Sequence, residues 1–329
     1  QLYLIIFCLI LGLVNYLISL NTNSDSIQFS RLVHFALYSI LGVLVHILIF
    51  KNEVTFHKAV VAATLLQVTF VFITYSSLAA NNLIFSFVYV THNFLENLGR
   101  APGLSSSGGA SLSLIISLGA FSIVRLSMLE KGSWYMSAII LIIFSQILVG
   151  RTGLLLSIFA LCLLFYYSKI NMKMLFATII GLFLCQFIFI EYLVNNEQFL
   201  AYTIKWAESS LTGDDETMSA LLDMGVNEMD TKSFIVGTGQ VTTPDGFNAS
   251  GSDIGYVQTF YAMGLSGVAF YIALFIFLYS YYRNTDNSLY YTVLLFLPFI
   301  VELKEPFIFK YMVVFYVFIV LIYGSKCGK

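Results

Sequence analysis

Long, uninterrupted apolar runs are the feature that most restricts how this chain of 329 residues can fold. A helix needs about 20 mostly apolar residues to cross a bilayer, and ten runs of roughly this kind follow one another. They cover residues 2–20, 32–50, 59–80, 109–128, 133–149, 152–168, 174–194, 253–280, 289–303 and 306–323. Only 10% of the residues are charged, against about 25% in soluble domains. We therefore predict an all-α polytopic membrane protein of about ten transmembrane helices, forming a single integral membrane domain over residues 1–329.

The lysines and arginines between the runs predict the orientation of these helices. Nine of them fall in one alternating set of loops and the C-terminal tail, and five fall in the short segments of the other set. Cytoplasmic loops carry the excess of positive charge, so the first set and both chain ends are expected to face the cytoplasm. Because residue 1 is Gln and no basic segment precedes the first run, we expect the natural start to be missing.

Two outer segments are too long to be simple turns. Residues 81–108 include a short apolar stretch, 83–90, which cannot cross a bilayer, so we expect an outer re-entrant or interfacial segment there. Residues 195–252, between spans seven and eight, form a loop of 58 residues with an amphipathic start and a polar end. Loops of this length are uncommon unless they are functional or disordered. We therefore expect a large outer loop to contribute to function.

Several kinds of chemistry find no support in the sequence. It has no phosphate-binding loop, no dinucleotide-binding fingerprint and no HExxH pair. Its four cysteines lie in apolar runs or near the C-terminus, so neither a disulfide framework nor a zinc site is expected. No basic block of the kind that binds nucleic acid is present. A soluble enzyme dependent on a nucleotide or a metal is therefore not expected.

The predicted spans contain almost no ionisable residues. Their deep polar residues are neutral, namely Asn15, Gln67, Gln146 and Gln186, while Arg125 lies near a span end. Ion-coupled carriers usually need buried acids, histidines or lysines near the membrane midplane. The sequence therefore argues against a carrier without eliminating it.

Two arginines lie at outer span ends, on the face that carries most of the acidic residues. Arg100 precedes span four, and Arg151 lies in a tight turn, Gly150-Arg151-Thr152-Gly153, between spans five and six. A guanidinium group is a fixed fork of donors that suits phosphate oxygens, and the amide hydrogens that open span six also favour an anion. Anchoring to lipid headgroups is the alternative role for each arginine.

A second group of polar residues surrounds the outer start of span eight. Asp253 and Tyr256 share a helix face there. Asp253 is a candidate catalytic base, or it caps the helix by accepting a backbone N–H bond. Glu302 and Lys304 precede Pro306 at another outer boundary and are candidate substrate-binding residues, with a local ion pair as the simpler interpretation. His92, in an outer loop, completes the candidates, although a lone loop histidine is more often incidental.

These features together resemble the Wzy-type O-antigen and capsular polysaccharide polymerases, within the superfamily that also contains the O-antigen ligases. The resemblance covers most of the chain and rests on three features: many spans, the Gly150-Arg151-Thr152-Gly153 turn and one large outer loop. That loop leads through 234–239 (FIVGTG) into 252–258 (SDIGYVQ). In ligases and many relatives, the segment that enters this span resembles a His-Asn pair. Here Asp253-Ile254 occupies the matching place, so a histidine base is not carried over. The Arg-x10-Gly motifs of some polymerases are also absent, with Ser111 and Cys162 at the glycine positions.

The resemblance implies an inverting glycosyltransferase that uses no metal ion and no cofactor. It would move a growing glycan from undecaprenyl diphosphate to a lipid-linked repeat unit, at the periplasmic face of a bacterial inner membrane. Arg151 would bind and stabilise the diphosphate, Asp253 would orient or deprotonate the acceptor hydroxyl, and Arg100, Tyr256, Glu302, Lys304 and His92 would bind substrate. A chain-length regulator and a flippase are the expected protein partners, and no nucleic acid is expected.

Two alternatives stay open beside the polymerase. An O-antigen ligase would transfer the glycan to the lipid A core, and would favour histidine at position 253. A flippase or another carrier of lipid-linked oligosaccharides would favour charges within the spans.

Overall fold

The structure is a computed structural model, and it describes part of the chain. The described residues are 2–22, 25–50, 52–76, 78–87, 103–105, 109–130, 132, 134–168, 180, 229–286, 288–310 and 313–327. Within these ranges the regular secondary structure is helical, and one isolated antiparallel bridge joins Thr242 to Asn248. The all-helical architecture expected from the apolar runs is therefore confirmed for the described part of the chain.

The chain divides into two compact units, each of which is described separately. One unit comprises residues 1–51 and 216–329, and the other comprises 52–215. Described helices of the first unit are α1 (Leu2–Thr22), α2 (Ile27–Ile49), α8 (Thr231–Val236), α9 (Gly255–Met263), α10 (Leu265–Tyr282), α11 (Leu289–Val301), α12 (Phe307–Lys310) and α13 (Val313–Cys327). Those of the second unit are α3 (Glu53–Ser76), α4 (Leu78–Phe87), α5 (Ala110–Leu129), α6 (Tyr135–Val149) and α7 (Arg151–Tyr167).

Four described helices are long and apolar enough to cross a membrane. They are Tyr3–Thr22 of α1, Glu53–Tyr75 of α3, Ala110–Leu129 of α5 and Leu265–Tyr282 of α10. Helices α6, α7, α11 and α13 are apolar but shorter. Their lengths and composition are those of a membrane protein. The predicted span 174–194, apart from residue 180, lies outside the described residues, as do 195–228 of the predicted large loop and most of 81–108.

Helix α5 is the centre of the second unit. In its membrane-length segment 78% of the residues are buried, against 22% in α10, and it packs against α3, α6 and α7. Small residues allow this close packing. A Cβ atom at Gly119 would lie 2.4 Å from the Thr64 hydroxyl oxygen, and one at Gly153 would lie 2.1 Å from the Ser113 carbonyl oxygen.

The predicted single span 253–280 is wrong in one respect, because the helix breaks at Gly264. Helix α9 ends at Met263 and α10 begins at Leu265, with Gly264 at a φ of 58° between them. This left-handed conformation suits glycine. A Cβ atom at residue 264 would also lie 2.6 Å from the backbone nitrogen of Gly237 and from the carbonyl oxygen of Ile235. The break is therefore fixed by contact with a segment far away in the sequence.

Alanine at position 264 is expected to destabilise the protein far more than alanine at position 246. Both glycines have positive φ, for which a Cβ atom costs about 1–2 kcal/mol. Gly246 faces open space, whereas a Cβ atom at residue 264 would collide with backbone. Thermal unfolding of the purified protein should show a small decrease in Tm for Gly246→Ala and a large one for Gly264→Ala. Equal decreases would contradict this account of the break.

Candidate functional site

The break between α9 and α10 leaves helix carbonyls that need new hydrogen-bond partners. Residues 237–239 supply them. The backbone nitrogen of Thr238 donates to the Tyr261 carbonyl at 2.9 Å, and that of Gly239 donates to the Ala262 carbonyl at 3.0 Å. Gly237, at a φ of 87°, is required here because a Cβ atom would lie 2.3 Å from the Ala262 oxygen. Residues 237–239 are thereby fixed to the break between α9 and α10.

Helix α1 holds the same segment through a row of polar side chains. The Asn15 amide donates to the Ala262 carbonyl at 3.0 Å, and the Ser19 hydroxyl donates to the Gly239 carbonyl at 3.0 Å. Both side chains are buried. Asn15 was noticeable in the sequence only as a neutral polar residue within an apolar run. Its spacing of four residues from Ser19 on one helix face was the available signal.

Asp25 anchors the turn that follows residues 237–239. Asp25 was not identified as a site residue from the sequence. One carboxylate oxygen accepts from the backbone nitrogens of Val241 and Thr242, at 3.0 and 2.7 Å, and from the Thr242 hydroxyl at 3.1 Å. Its other oxygen accepts from the Ile27 backbone nitrogen at 3.0 Å, at the start of α2. A carboxylate that accepts several N–H bonds is held in one orientation. Asp25 therefore fixes residues 241–249 to the start of α2.

Asp253 is exposed at the start of α9, where the side-chain amide of Asn248 donates to its carboxylate. The proposed helix-capping role is wrong, because the cap of α9 is Ile254 and no side chain caps that end. The partial burial expected for an aspartate base is also absent, since the side chain is exposed. Asp253 is therefore an accessible carboxylate that a neighbouring amide orients, and its catalytic role stays a prediction.

Glu302 is fully buried, below the start of α9. Its carboxylate accepts from the Tyr271 hydroxyl at 2.7 Å and from the Ile308 backbone nitrogen at 2.9 Å, while its carbonyl accepts from the Gly255 nitrogen at 3.0 Å. The Tyr271 hydroxyl also lies 2.9 Å from the Thr259 hydroxyl. Glu302 thus joins α9, α10 and α12 from a buried position, and its role in substrate binding stays a prediction.

Tyr256 belongs to the packing around Glu302. Its hydroxyl donates to the Phe299 carbonyl at 2.8 Å, and its ring lies 4.8 Å from the ring of Tyr271. Gly255 brings this end of α9 against the turn that contains Lys304, because a Cβ atom there would lie 2.7 Å from the Glu305 carbonyl. Asp253, Tyr256, Glu302 and Lys304 are thus brought to one end of the first unit, with Lys304 half-exposed.

Arg31, on α2 of the same unit, is a further candidate that sequence reasoning missed. Its half-buried guanidinium group is attracted by the carboxylates of Glu302 and Asp25 and donates to the Gln28 side-chain oxygen at 3.4 Å. The ion pairs found among the described residues do not include it. A guanidinium group has five N–H donors, so Arg31 has capacity for an anion near this end of the unit.

Arg151 is half-exposed at the start of α7 in the other unit. Its tight turn is confirmed, since Gly150 alone separates α6 from α7. The expectation that the amide hydrogens at Thr152 and Gly153 are exposed to an anion is wrong for Gly153. The buried Gly153 nitrogen donates instead to the Ser113 hydroxyl at 3.1 Å. Arg100 and His92 lie outside the described residues.

The second unit also contains buried charge that the sequence did not predict. The Arg125 Nε atom lies 2.6 Å from a Glu53 carboxylate oxygen, and both side chains are buried. His57, one turn after Glu53, lies with its Nδ1 atom 3.1 Å from the Ser122 hydroxyl. The two charges compensate each other, which makes their burial tolerable. Glu53 is the first residue of α3 and precedes the predicted span 59–80, and Arg125 lies near the end of α5 as expected, so what the sequence did not predict is their pairing.

Breaking this pair is expected to cost much more than breaking its exposed neighbour. Glu53→Gln leaves the Arg125 charge buried and uncompensated, which typically costs about 3–5 kcal/mol. The Lys58–Glu130 pair, at 2.9 Å, lies on the surface, so Glu130→Gln should cost about 0–1 kcal/mol. Unfolding of both purified variants, followed by intrinsic fluorescence, measures the difference. Equal losses would show that the buried pair is not specially important for stability.

Within the described ranges, no group of three or more His, Cys, Asp and Glu side chains is arranged to hold a metal ion. Comparison with protein-family models found no match. Comparison with curated proteins and with solved structures found no significant match.

Proposed function

We propose that this chain is an O-antigen or capsule polymerase, an inverting glycosyltransferase of the Wzy type. The observation that carries the proposal is the accessible carboxylate of Asp253, oriented by Asn248 at the start of a broken helix. The membrane-length helix α10 follows directly. A lipid-linked sugar has its tail in the membrane and its glycan in water, so its transferring enzyme needs reactive groups at such a boundary. Asp253 is the group that the proposal assigns to this boundary.

The reaction joins two lipid-linked glycans. A hydroxyl oxygen of the new repeat unit attacks the anomeric carbon of the growing chain. The bond from that carbon to the diphosphate oxygen breaks, and its electron pair leaves with undecaprenyl diphosphate. Asp253 takes the hydroxyl proton, as a general base within hydrogen-bond reach can do. Its exposure permits direct contact with the acceptor, while Glu302 and Tyr271 hold the helix end that presents it.

Cationic side chains stabilise the leaving diphosphate in this proposal. Preorganised donors are most effective where negative charge develops in the transition state. Arg151 has the principal role, with Arg100 and His92 as further contacts from the outer segment 81–108. Lys304 and Arg31 are the cations at the same end of the unit as Asp253, and they bind the phosphates or acidic sugars of the substrate. Tyr256 is expected to contact the sugar.

The full architecture of the proposal has ten spans and both chain ends in the cytoplasm. Residues 195–252 form the large periplasmic loop between spans seven and eight, and the active site faces the periplasm of a bacterial inner membrane. The substrates are undecaprenyl-diphosphate-linked oligosaccharides. A flippase delivers them, and a chain-length regulator sets the extent of polymerisation.

A deletion strain tests the proposal against its alternatives. Loss of a polymerase should leave the lipid A core carrying single repeat units, and the gene encoding this chain should restore the long ladder. Loss of a ligase would leave the core bare while lipid-linked polymer accumulates. Loss of a flippase would leave the core bare without lipid-linked polymer, and either bare-core result would contradict the proposal.

A carrier of lipid-linked oligosaccharides is the second candidate, because two observations favour it. The Glu53–Arg125 pair and His57 place ionisable groups inside the second unit, and α9 and α10 form a broken helix in the first. Both features are common in transporters. The pair joins the first residue of α3 to a residue near the end of α5, rather than two helix midpoints. That position suits a structural clamp better than an ion pathway.

A further inference from the structure

Helix α8 presents apolar side chains to its surroundings although it belongs to an otherwise polar segment. Phe234, Ile235 and Val236 are 37–53% exposed. The helix is well defined: its cap, Asp230, accepts from the Ser233 nitrogen at 2.8 Å. Hydrogen bonds from the side chain and the backbone nitrogen of Ser233 lower the pKa of Asp230, so the carboxylate at the start of α8 is charged at neutral pH. Helix α8 therefore has a polar N-terminal end and an exposed apolar C-terminal end.

Close backbone contact joins α8 to the first residues of α10. The two glycines Gly237 and Gly264 make this possible, since a Cβ atom on Gly264 would meet the Ile235 carbonyl oxygen at 2.6 Å. The Phe234 ring packs against that of Phe260 at 5.1 Å. Helix α8 is thereby held next to the start of α10.

Helix α10 has one apolar stripe whose side chains are exposed within the described part of the chain. Its exposed residues recur at intervals of three and four, which places them in a single stripe. They are Leu265, Val268, Ile272, Ile276 and Tyr279, each 41–61% exposed. Eighteen helical residues extend over about 27 Å, close to the roughly 30 Å of a hydrocarbon core. Lipid acyl chains are the surroundings that such a stripe fits.

We infer that α8 is an interfacial helix whose Phe234, Ile235 and Val236 side chains enter the phospholipid layer beside the start of α10. The exposed side chains of α8 lie close to the start of the α10 stripe, because the backbone of Ile235 lies against Gly264, the residue that precedes Leu265. Asp230 and Lys232, both exposed, remain in the headgroup layer. This distribution is typical of helices that lie in a membrane interface. The inference does not depend on the proposed enzymatic activity.

This placement has a consequence for the candidate site. Residues 238–253 follow α8 directly and are fixed to α9, α1 and Asp25. When α8 lies in the membrane interface, it therefore keeps this segment, including Asp253, close to the lipid headgroups.

Site-specific fluorescence in lipid nanodiscs tests the inference. The environment-sensitive dye NBD is attached to Ile235→Cys and, as a matched control, to Lys232→Cys, in a background without exposed native cysteines. The nanodiscs contain phosphatidylethanolamine and phosphatidylglycerol, with nitroxides placed on the lipids near the headgroup or near the acyl-chain end. The dye at residue 235 should emit at shorter wavelength than at 232, and the shallow nitroxide should quench it more strongly than the deep one.

Other results would overturn the inference. Equal emission at the two positions, with quenching by aqueous iodide, would place α8 in water. Blue-shifted emission that neither lipid nitroxide quenches would mean that protein, and not lipid, covers the α8 surface. Circular dichroism and gel filtration of both labelled variants ensure that these results come from folded protein.

Discussion

Replacing Arg151 with alanine is expected to abolish long glycan chains while the protein accumulates to its normal level. In the proposed reaction the guanidinium group, at the start of α7, supplies charge and paired donors to the leaving diphosphate. Loss of one such stabilising donor typically lowers a rate about 100- to 1000-fold. Arg151→Lys should recover only part of the activity, because an ammonium group keeps the charge but loses the planar fork. The measurement is the lipopolysaccharide ladder of a complemented deletion strain.

Arg283→Ala is the matched control for this experiment. Arg283 also lies at a helix end, after α10, and it is exposed, but it faces the cytoplasm in the predicted topology. Its variant should give a normal ladder. Full activity of Arg151→Ala would assign Arg151 to anchoring in lipid headgroups instead of diphosphate binding.

Asp253→Asn is expected to stop polymerisation as completely as Asp253→Ala, with both proteins at normal abundance. Asparagine keeps the shape of the side chain but does not take up a proton at neutral pH. General-base catalysis typically contributes about 100- to 10,000-fold, so single-repeat lipopolysaccharide should accumulate in both strains. Because no side chain caps α9, neither variant should lose stability through a lost cap. Immunoblots and lipopolysaccharide gels measure abundance and activity.

Asp245→Asn provides the control for Asp253. Asp245 is another exposed carboxylate of the same segment, and its variant should polymerise normally. Asn248→Ala, which removes the donor that orients Asp253, should lower the rate without abolishing it. A wild-type ladder from Asp253→Asn would end the catalytic claim for this residue.

The apolar runs predicted the positions of α6 and α7 well because the length of an apolar run is a local property of the sequence. The predicted spans 133–149 and 152–168 differ by at most two residues at each end from α6 (Tyr135–Val149) and α7 (Arg151–Tyr167). The glycine between them marked the turn correctly. An apolar segment is stable when it is buried in protein or in lipid. Either environment favours a helix, because a helix pairs its backbone groups internally.

The break at Gly264 was not predictable in the same way, because it depends on contacts between distant segments. Residues 253–280 form one long apolar run in the sequence, and the break at Gly264 is explained by its close contact with the backbone of Gly237 and Ile235. Glu53 and Arg125 present the same difficulty. Seventy-two residues separate them, and each alone looked like a polar residue near a span end.

The candidate site was predictable in its residue types but not in their division of roles. Asp253 and Glu302 were both expected near substrate, and an acid at an outer helix end could serve either purpose. The structure exposes the first and buries the second. Burial depends on Tyr271 and the Ile308 nitrogen, and the position of these groups follows from tertiary packing.

Reconstitution with a defined substrate tests the central claim most directly. The purified protein, in proteoliposomes, is supplied with a single undecaprenyl-diphosphate-linked repeat unit on the side that exposes residues 229–254, and the products are separated by size. We predict a ladder of lipid-linked glycans that lengthens with time, accompanied by release of undecaprenyl diphosphate, and no ladder with Asp253→Asn. Repeat units that cross the membrane without any increase in length would contradict the polymerase and favour the carrier.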